Sequence, residues 1–435
     1  MEHLIQIEGE PKSNEIRKIA AKYIGKGHKT YTPTQLVTEK AEGVYLWNVE
    51  GRRLIDFAAG VLVANLGHNH PEFEAAYQKY SAGMPRSSYN TLTEQEVYAA
   101  KRLIEKLDCP RLEKLLWADS GSAAIIKAMW AAQHYQPDKH IIVATRYGFH
   151  GKKGLAGDTT GEESDNPNVR FISFPICDYC TLVPEDKKRQ EEVCRPIYET
   201  ELKKLQQAYS DDIVLLITEP YLGAHGSFHP PKWYHQLLNR WCDENNVTFI
   251  LDEIQSCYGR TGEMYAFQKY GIEPDIVVLG KGIGNGEPVA VAVGRSEIID
   301  TLDYGEASDT YSGNPRACAA ILAVLDVYEK VLVVENCRKI SPIIETGLKR
   351  LENDFEFVAS VRGEGLVWGL EVKAYKGKSA AEIANECVYR CYKEGLHLMG
   401  PLAEKVLRIS PPLIISEEVT RKGLQLMYSA FQQMI

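Results

Sequence analysis

The 435-residue sequence has no run of about 18 apolar residues, so a membrane-spanning helix is not expected. Its first dozen residues, Met1 to Lys12, include Glu2, Glu8 and Glu10 and lack an apolar core, which argues against a secretory signal and for the cytoplasm. Positive charge is in deficit: 50 Lys and Arg face 59 Asp and Glu, a net charge of −9, which argues against general binding to nucleic acid or to an anionic membrane. No internal repeat or low-complexity tract occurs, so nothing points to a solenoid. The ten cysteines lack the spacing of a disulfide framework, and reduced thiols are expected. Cys177 and Cys180 form a Cys-x-x-Cys pair with Cys194 nearby. Zinc would need a fourth ligand, His225 and His229 are distant in sequence, and no metal site is expected.

What is present reads as a globular enzyme, with 44% hydrophobic and 25% charged residues. The length calls for two domains. A polar N-terminal stretch holds an amphipathic helix over 13–23, then a hairpin over 44–47 and 53–56. Residues 71–80 and 93–107 read as helices. From about residue 113 the pattern is strand then helix: short apolar runs at 115–118, 140–145, 169–174, 213–218, 247–251, 276–279 and 289–293, separated by helical segments. This predicts a mostly parallel seven-stranded α/β sheet with helices on both faces. A long helical pattern runs over 316–328 and continues into 335–353. Strands at 365–372 and 406–410 and helices at 380–394 and 417–433 then suggest a smaller α+β domain. The expected division is 1–70, an N-terminal part of the small domain; 71–320, the large domain; and 321–435, the rest of the small domain.

Open α/β sheets bind ligands outside the carboxyl ends of their strands. Reading those ends in order yields Ser120-Gly121-Ser122, Phe149-His150, Glu219, Asp252 and Lys281. Each has an ordinary explanation by itself. Ser120 is a natural helix cap, Phe149 a core aromatic, Asp252 the partner of a cation such as Arg260, and Lys281 a lysine snorkelling to water. Together they offer an anion seat at a helix start, a ring for stacking, a buried carboxylate and an amine able to form an imine. Pyridoxal 5′-phosphate needs these four groups. A dinucleotide loop is excluded, because the glycine spacing fails at Asn285 and Glu287.

The chain resembles the class-III (ω-) aminotransferases of the pyridoxal-phosphate fold-type-I superfamily. The resemblance rests on Phe249-Ile250-Leu251-Asp252-Glu253-Ile254-Gln255, Tyr258-Gly259-Arg260-Thr261-Gly262, Ile272-Glu273-Pro274-Asp275 and Gly280-Lys281-Gly282. Thr310-Tyr311-Ser312-Gly313-Asn314-Pro315 and Leu407-Arg408-Ile409-Ser410-Pro411-Pro412 support it. It implies that Lys281 carries the cofactor as a Schiff base and shuttles the proton between Cα and C4′. It further implies that Asp252 partners the pyridinium nitrogen, that Gln255 lies near the phenolic oxygen, and that Phe149 stacks with His150 and Glu219 beside the cofactor. Ser120, Gly121 and Ser122 would seat the phosphate. Thr310 would reach the phosphate from a second subunit of a homodimer, and Arg408 would clamp the carboxylate of a keto acid.

Departures from the family pattern bear on the substrate. Ala123 stands where an acidic residue commonly follows Ser-Gly-Ser. Ala224 stands where 4-aminobutyrate-type members hold a glutamate, and Lys152 stands where they hold an arginine. The expected activity is therefore transfer of an amino group from an amine or ω-amino donor to a keto acid, pyruvate or 2-oxoglutarate. Val61, Tyr89, Lys152 and Ala224 are the expected walls of the substrate pocket. An amino-acid racemase or epimerase on the same scaffold is the alternative; a 4-aminobutyrate-specific transaminase and a non-catalytic binding protein are weaker ones.

Overall fold

The fold comes from a computed structural model that describes residues 5–176 and 187–435. The chain divides into two compact units, Met1–His70 with Val333–Ile435, and Pro71–Leu332.

In the first unit the helix Pro11–Tyr23 precedes β1 (Thr38–Glu42), β2 (Tyr45–Asn48) and β3 (Arg53–Asp56), which pair antiparallel in succession. The strand β1 is missing from the sequence expectation. Its residues, Thr-Glu-Lys-Ala-Glu, carry no apolar alternation, and only its backbone pairing to β2 makes it a strand.

The second unit is built on a sheet ordered β4 (Lys114–Ala118), β10, β9, β8, β7, β5, β6. Its other members are β5 (Ile141–Thr145), β6 (Val169–Ile172), β7 (Ile213–Thr218), β8 (Thr248–Asp252), β9 (Ile276–Leu279) and β10 (Ala290–Gly294). The pairs among β6, β5, β7, β8 and β9 are parallel; β10 runs antiparallel to both of its neighbours. Every residue of β5, β7, β8, β9 and β10 is buried, as a sheet covered on both faces requires. The helix Gly121–Tyr135 covers one face, and Ala124, Ala128 and Ala132 let it approach Ala144, Ile217, Ile250 and Val278 closely.

Two expectations are corrected in the return to the first unit. The long helical pattern is two helices, Pro315–Lys330 and Val333–Asp354. They part at Val331, whose backbone is extended, and the break coincides with the boundary between the units. The strand expected from 365 begins at Val367 and is the second arm of a hairpin, β11 (Val358–Glu364) with β12 (Val367–Val372). The polar positions Ser360 and Arg362 hid β11, which lies at one edge of its three-stranded sheet. The short β13 (Leu396–His397) runs parallel to β3, and β14 (Val406–Ile409) pairs with β12. Among the described residues, no helix is long and apolar enough to cross a membrane.

Candidate active site

The register of the sheet brings five turns to one edge. Ala144 lies opposite Ile217, Thr218 opposite Leu251, and Asp252 opposite Val278. Ala118, at the end of β4, pairs with Ala290, and the next residue of β10, Val291, pairs with Leu279. The antiparallel β10 therefore restores β4 to the direction of β9. The segments beginning at Asp119, Arg146, Glu219, Glu253 and Gly280 all leave the carboxyl edge, where such sheets bind ligands.

Lys281 opens a short 3₁₀ turn, Lys281–Ile283, directly after β9. It is half-buried, and its φ of 48° lies in the left-handed region. A non-glycine residue held there stores about 1–3 kcal/mol of strain, a device that clusters at functional sites. Just before it, the carbonyl of Gly280 accepts from the thiol of Cys257 at 3.6 Å. Burial, with the charge of Glu253, pushes that thiol up to about 12, so it is neutral and no nucleophile.

Asp252 is buried at the end of β8. Its Oδ2 lies 2.8 Å from His150 Nδ1, and its Oδ1 accepts from the Ile254 N–H at 3.1 Å. The group facing this carboxylate is thus a histidine from the turn after β5, where the sequence offered Arg260. The other ring nitrogen, Nε2, is buried and has no hydrogen-bond partner among the described residues. The turn that carries His150 is braced by Thr160, whose Oγ1 accepts from the N–H of His150 at 2.9 Å and of Gly151 at 3.1 Å. A side chain at Gly151 would meet Ser122 Oγ at 2.5 Å, so this turn packs directly on the start of the helix Gly121–Tyr135.

Glu219 links two of the turns. One carboxylate oxygen accepts from the Phe149 N–H at 2.9 Å and the other from the Gly223 N–H at 3.3 Å. Burial pushes its carboxyl up to about 7, the charge of His150 pulls it back, and the charge of Asp252 adds to the rise. Glu253, the next residue after Asp252, is likewise pushed up to about 7 by burial, although the Ala266 and Phe267 N–H groups and the Ser256 hydroxyl all donate to it.

The ring of Phe149 is 40% exposed, which removes the core-packing explanation. Gln255 is half-buried, and its Oε1 is buried without a partner among the described residues. A Cβ on Gly223 would stand 2.0 Å from that oxygen, so a side chain there would push the Gln255 amide out of its place. Ser120 does cap its helix, accepting from the Ala123 N–H at 3.4 Å, while Gly121 and Ser122 sit half-buried at the helix start.

Of the remaining expected residues in this unit, Lys152, Thr310 and Tyr89 are exposed and Ala224 is half-buried. Val61 and Arg408 belong to the other unit. Val61 is exposed on a left-handed turn in which Ala59, Gly60, Val61 and Leu62 all have positive φ. That turn is held by Asp56, which accepts from the N–H groups of Ala58 and Ala59 and lies 2.9 Å from His68 Nε2. Arg408 is buried in the middle of β14, where Nη2 donates to Met399 Sδ at 2.7 Å. Cys194 is buried; Cys177 and Cys180 lie outside the described residues.

The sequence reading missed the partners: His150 for Asp252, Thr160 for the His150 turn, Glu219 for the backbone of Phe149. No local pattern marks Thr160. The Glu219-Pro220 and Phe149-His150 pairs could be noticed, but their hydrogen bonds span about 70 residues or more.

The chain matches the family model described as aminotransferase class-III over residues 27–431. An acetylornithine aminotransferase from Caldanaerobacter subterraneus is 30% identical over 403 residues, covering 92% of this chain and 95% of that protein. A leucine/methionine racemase from Thermococcus litoralis is also 30% identical, over 404 residues, covering 91% of this chain and 90% of that protein. Among solved structures, an amine transaminase from an uncultivated Pseudomonas species, in a PLP-bound form, superposes with a TM-score of 0.83 at 25% identity, covering 95% of this chain and 98% of that one.

Proposed function

The chain belongs to the class-III aminotransferases, and from that premise we propose that it moves an amino group from an amine or ω-amino donor to pyruvate or 2-oxoglutarate, with Lys281 as the reacting amine. The observation that carries the assignment of Lys281 is its place at the end of β9, beside a buried Asp252–His150 pair at the end of β8.

The residues at the sheet edge fit pyridoxal 5′-phosphate. They provide an open aromatic face at Phe149 and two buried polar atoms, His150 Nε2 and Gln255 Oε1, with no partner among the described residues. They also provide a helix start at Ser120, Gly121 and Ser122 suited to a phosphate. Bound there, the cofactor would supply an electron sink that makes a substrate Cα proton acidic. Lys281 is the residue that would hold the cofactor through its aldehyde, and its amine would carry the proton to and from the substrate Cα. Asp252 would hold the proton on the pyridine nitrogen, and His150 would fix the orientation of that carboxylate. Phe149 would cover the ring, Gln255 would face its phenolic oxygen, and Arg408 would bind the keto-acid carboxylate with its two-pronged guanidinium. Thr310 would serve the phosphate of a second subunit in a homodimer. Ala224 and Lys152 disfavour 4-aminobutyrate as donor: Ala224 carries no charge to pair the clamp arginine, and Lys152 can pair a carboxylate but lacks the fork of an arginine.

Replacing Lys281 by Ala tests the core of the assignment: the visible absorbance of the attached cofactor and amino transfer should vanish together, and retention of either would overturn it. The 30%-identical racemase supports racemisation as a second reading. Holoenzyme mixed with a donor and no acceptor separates the two. Amino transfer releases one carbonyl product per site and stops, whereas racemisation consumes no amine and erases optical rotation.

A further inference from the structure

We propose that Lys127, acting through Asp309, is the residue that positions Thr310 toward the cofactor phosphate of a second copy of the chain; the destination of Thr310 rests on the reading above, and the role of Lys127 is new.

Lys127 lies in the middle of the helix Gly121–Tyr135, among Ala124, Ala128 and Ala131, which are fully buried. Its own side chain is 7% exposed. An ammonium in such a place is costly unless fully paired. It is paired: Nζ donates to the Trp117 carbonyl at 2.6 Å, to Asp309 Oδ2 at 2.7 Å and to Ser312 Oγ at 3.4 Å. A methionine or leucine would fill the same helix position without that cost, so packing gives no reason for a lysine here.

Asp309 spends its remaining capacity on one turn. Its Oδ1 accepts from the N–H groups of Tyr311 at 3.1 Å and Ser312 at 2.7 Å, and its Oδ2 accepts from the Ser312 hydroxyl. Burial alone would raise its carboxyl, but Lys127 and Ser312 outweigh burial and hold it below the usual range, so the anchor stays ionised. The far side of the turn is fixed as well. Gly313 has a φ of 65°, and a Cβ there would strike the Trp117 ring at 2.7 Å; Asn314 then caps the helix Pro315–Lys330. Thr310 sits between these anchors with an exposed side chain. Tyr304 and Tyr311 on the same stretch are also open, as a surface that receives another chain would be.

The test measures retention of pyridoxal 5′-phosphate and of pyridoxal, which lacks the phosphate, by Lys127→Met, Thr310→Ala and the double variant. Lys127→Met and Thr310→Ala should each weaken pyridoxal phosphate about tenfold, the worth of one charged hydrogen bond. Neither should weaken pyridoxal, and the double variant should be no worse than Thr310→Ala. Lys127→Met weakening both ligands alike, or adding to Thr310→Ala, would reduce Lys127 to a structural tether and overturn the proposal. An unaffected Thr310→Ala would instead remove Thr310 from the phosphate and sink the reading beneath it. Should Lys127→Met fail to fold, Asp309→Asn removes the same ion pair from the loop side and must show the same pattern. A hybrid dimer joining a Lys281→Ala chain to a Lys127→Met chain adds the direction: the surviving Lys281 should regain wild-type retention, because its phosphate meets the intact loop of the other chain. Persistent weakness there would place the loop in its own subunit's site and refute the assignment across subunits.

Discussion

Replacing Glu219 by Gln should flatten the pH dependence of stability between about pH 5 and about pH 8.5. The carboxyl is raised from 4.5 to about 7 in the folded protein. A folded value above the unfolded one contributes stability that is fully present below 4.5 and is lost as pH rises through 7. The shift corresponds to about 3 kcal/mol. Gln is neutral throughout, so the variant lacks this loss. Its amide oxygen can accept from only one of the two N–H groups that Glu219 serves, Phe149 or Gly223, and its NH₂ faces the other. That mismatch costs about 1 kcal/mol at every pH. The cofactor-free wild type should therefore be the more stable form near pH 5 and the less stable near pH 8.5. Urea midpoints followed across pH measure the difference. Infrared titration provides an independent readout: a protonated-carboxyl band should persist above pH 6 and lose the Glu219 share in the variant, leaving that of Glu253. Parallel stability profiles, or no protonated carboxyl above pH 6, would refute the reasoning that burial controls this group.

Gly223→Ala puts a methyl group 2.0 Å from Gln255 Oε1. Displacing that amide should weaken cofactor retention while the thermal midpoint stays close to wild type, and unchanged retention would remove Gln255 from the cofactor site. Arg408→Lys keeps the charge and loses the fork. The KM for the keto acid should rise about 10–100-fold while single turnover of the donor without acceptor is unchanged; an equal fall in both would remove Arg408 from carboxylate recognition.

The strands that build the site were legible because each is a short apolar run closed by a residue of different character. Lys281 after Ile276–Leu279 and Asp252 after Phe249, Ile250 and Leu251 stand out for that reason. The chemistry of the edge was legible too, since a lysine, a carboxylate and a Ser-Gly-Ser at strand ends are local features. The break at Val331 and the strands β1, β11 and β13 were not. Helical periodicity continues on both sides of the break, and these strands owe their conformation to a neighbour's backbone rather than to their own side chains.

The set of chemical groups, and the order in which strands deliver them, can therefore be read along the chain, because apolar burial is a sum over nearby residues. Which group faces which was settled in the folded molecule. His150 rather than Arg260 meets Asp252 across 102 positions, Glu219 reaches the backbone of Phe149 across 70, and Lys127 finds Asp309 across 182. Hydrogen bonds and ion pairs depend on distance and angle within fractions of an ångström. Those distances exist only once the sheet has set its register, and that register turned a lysine in the middle of a helix into a brace for a distant loop.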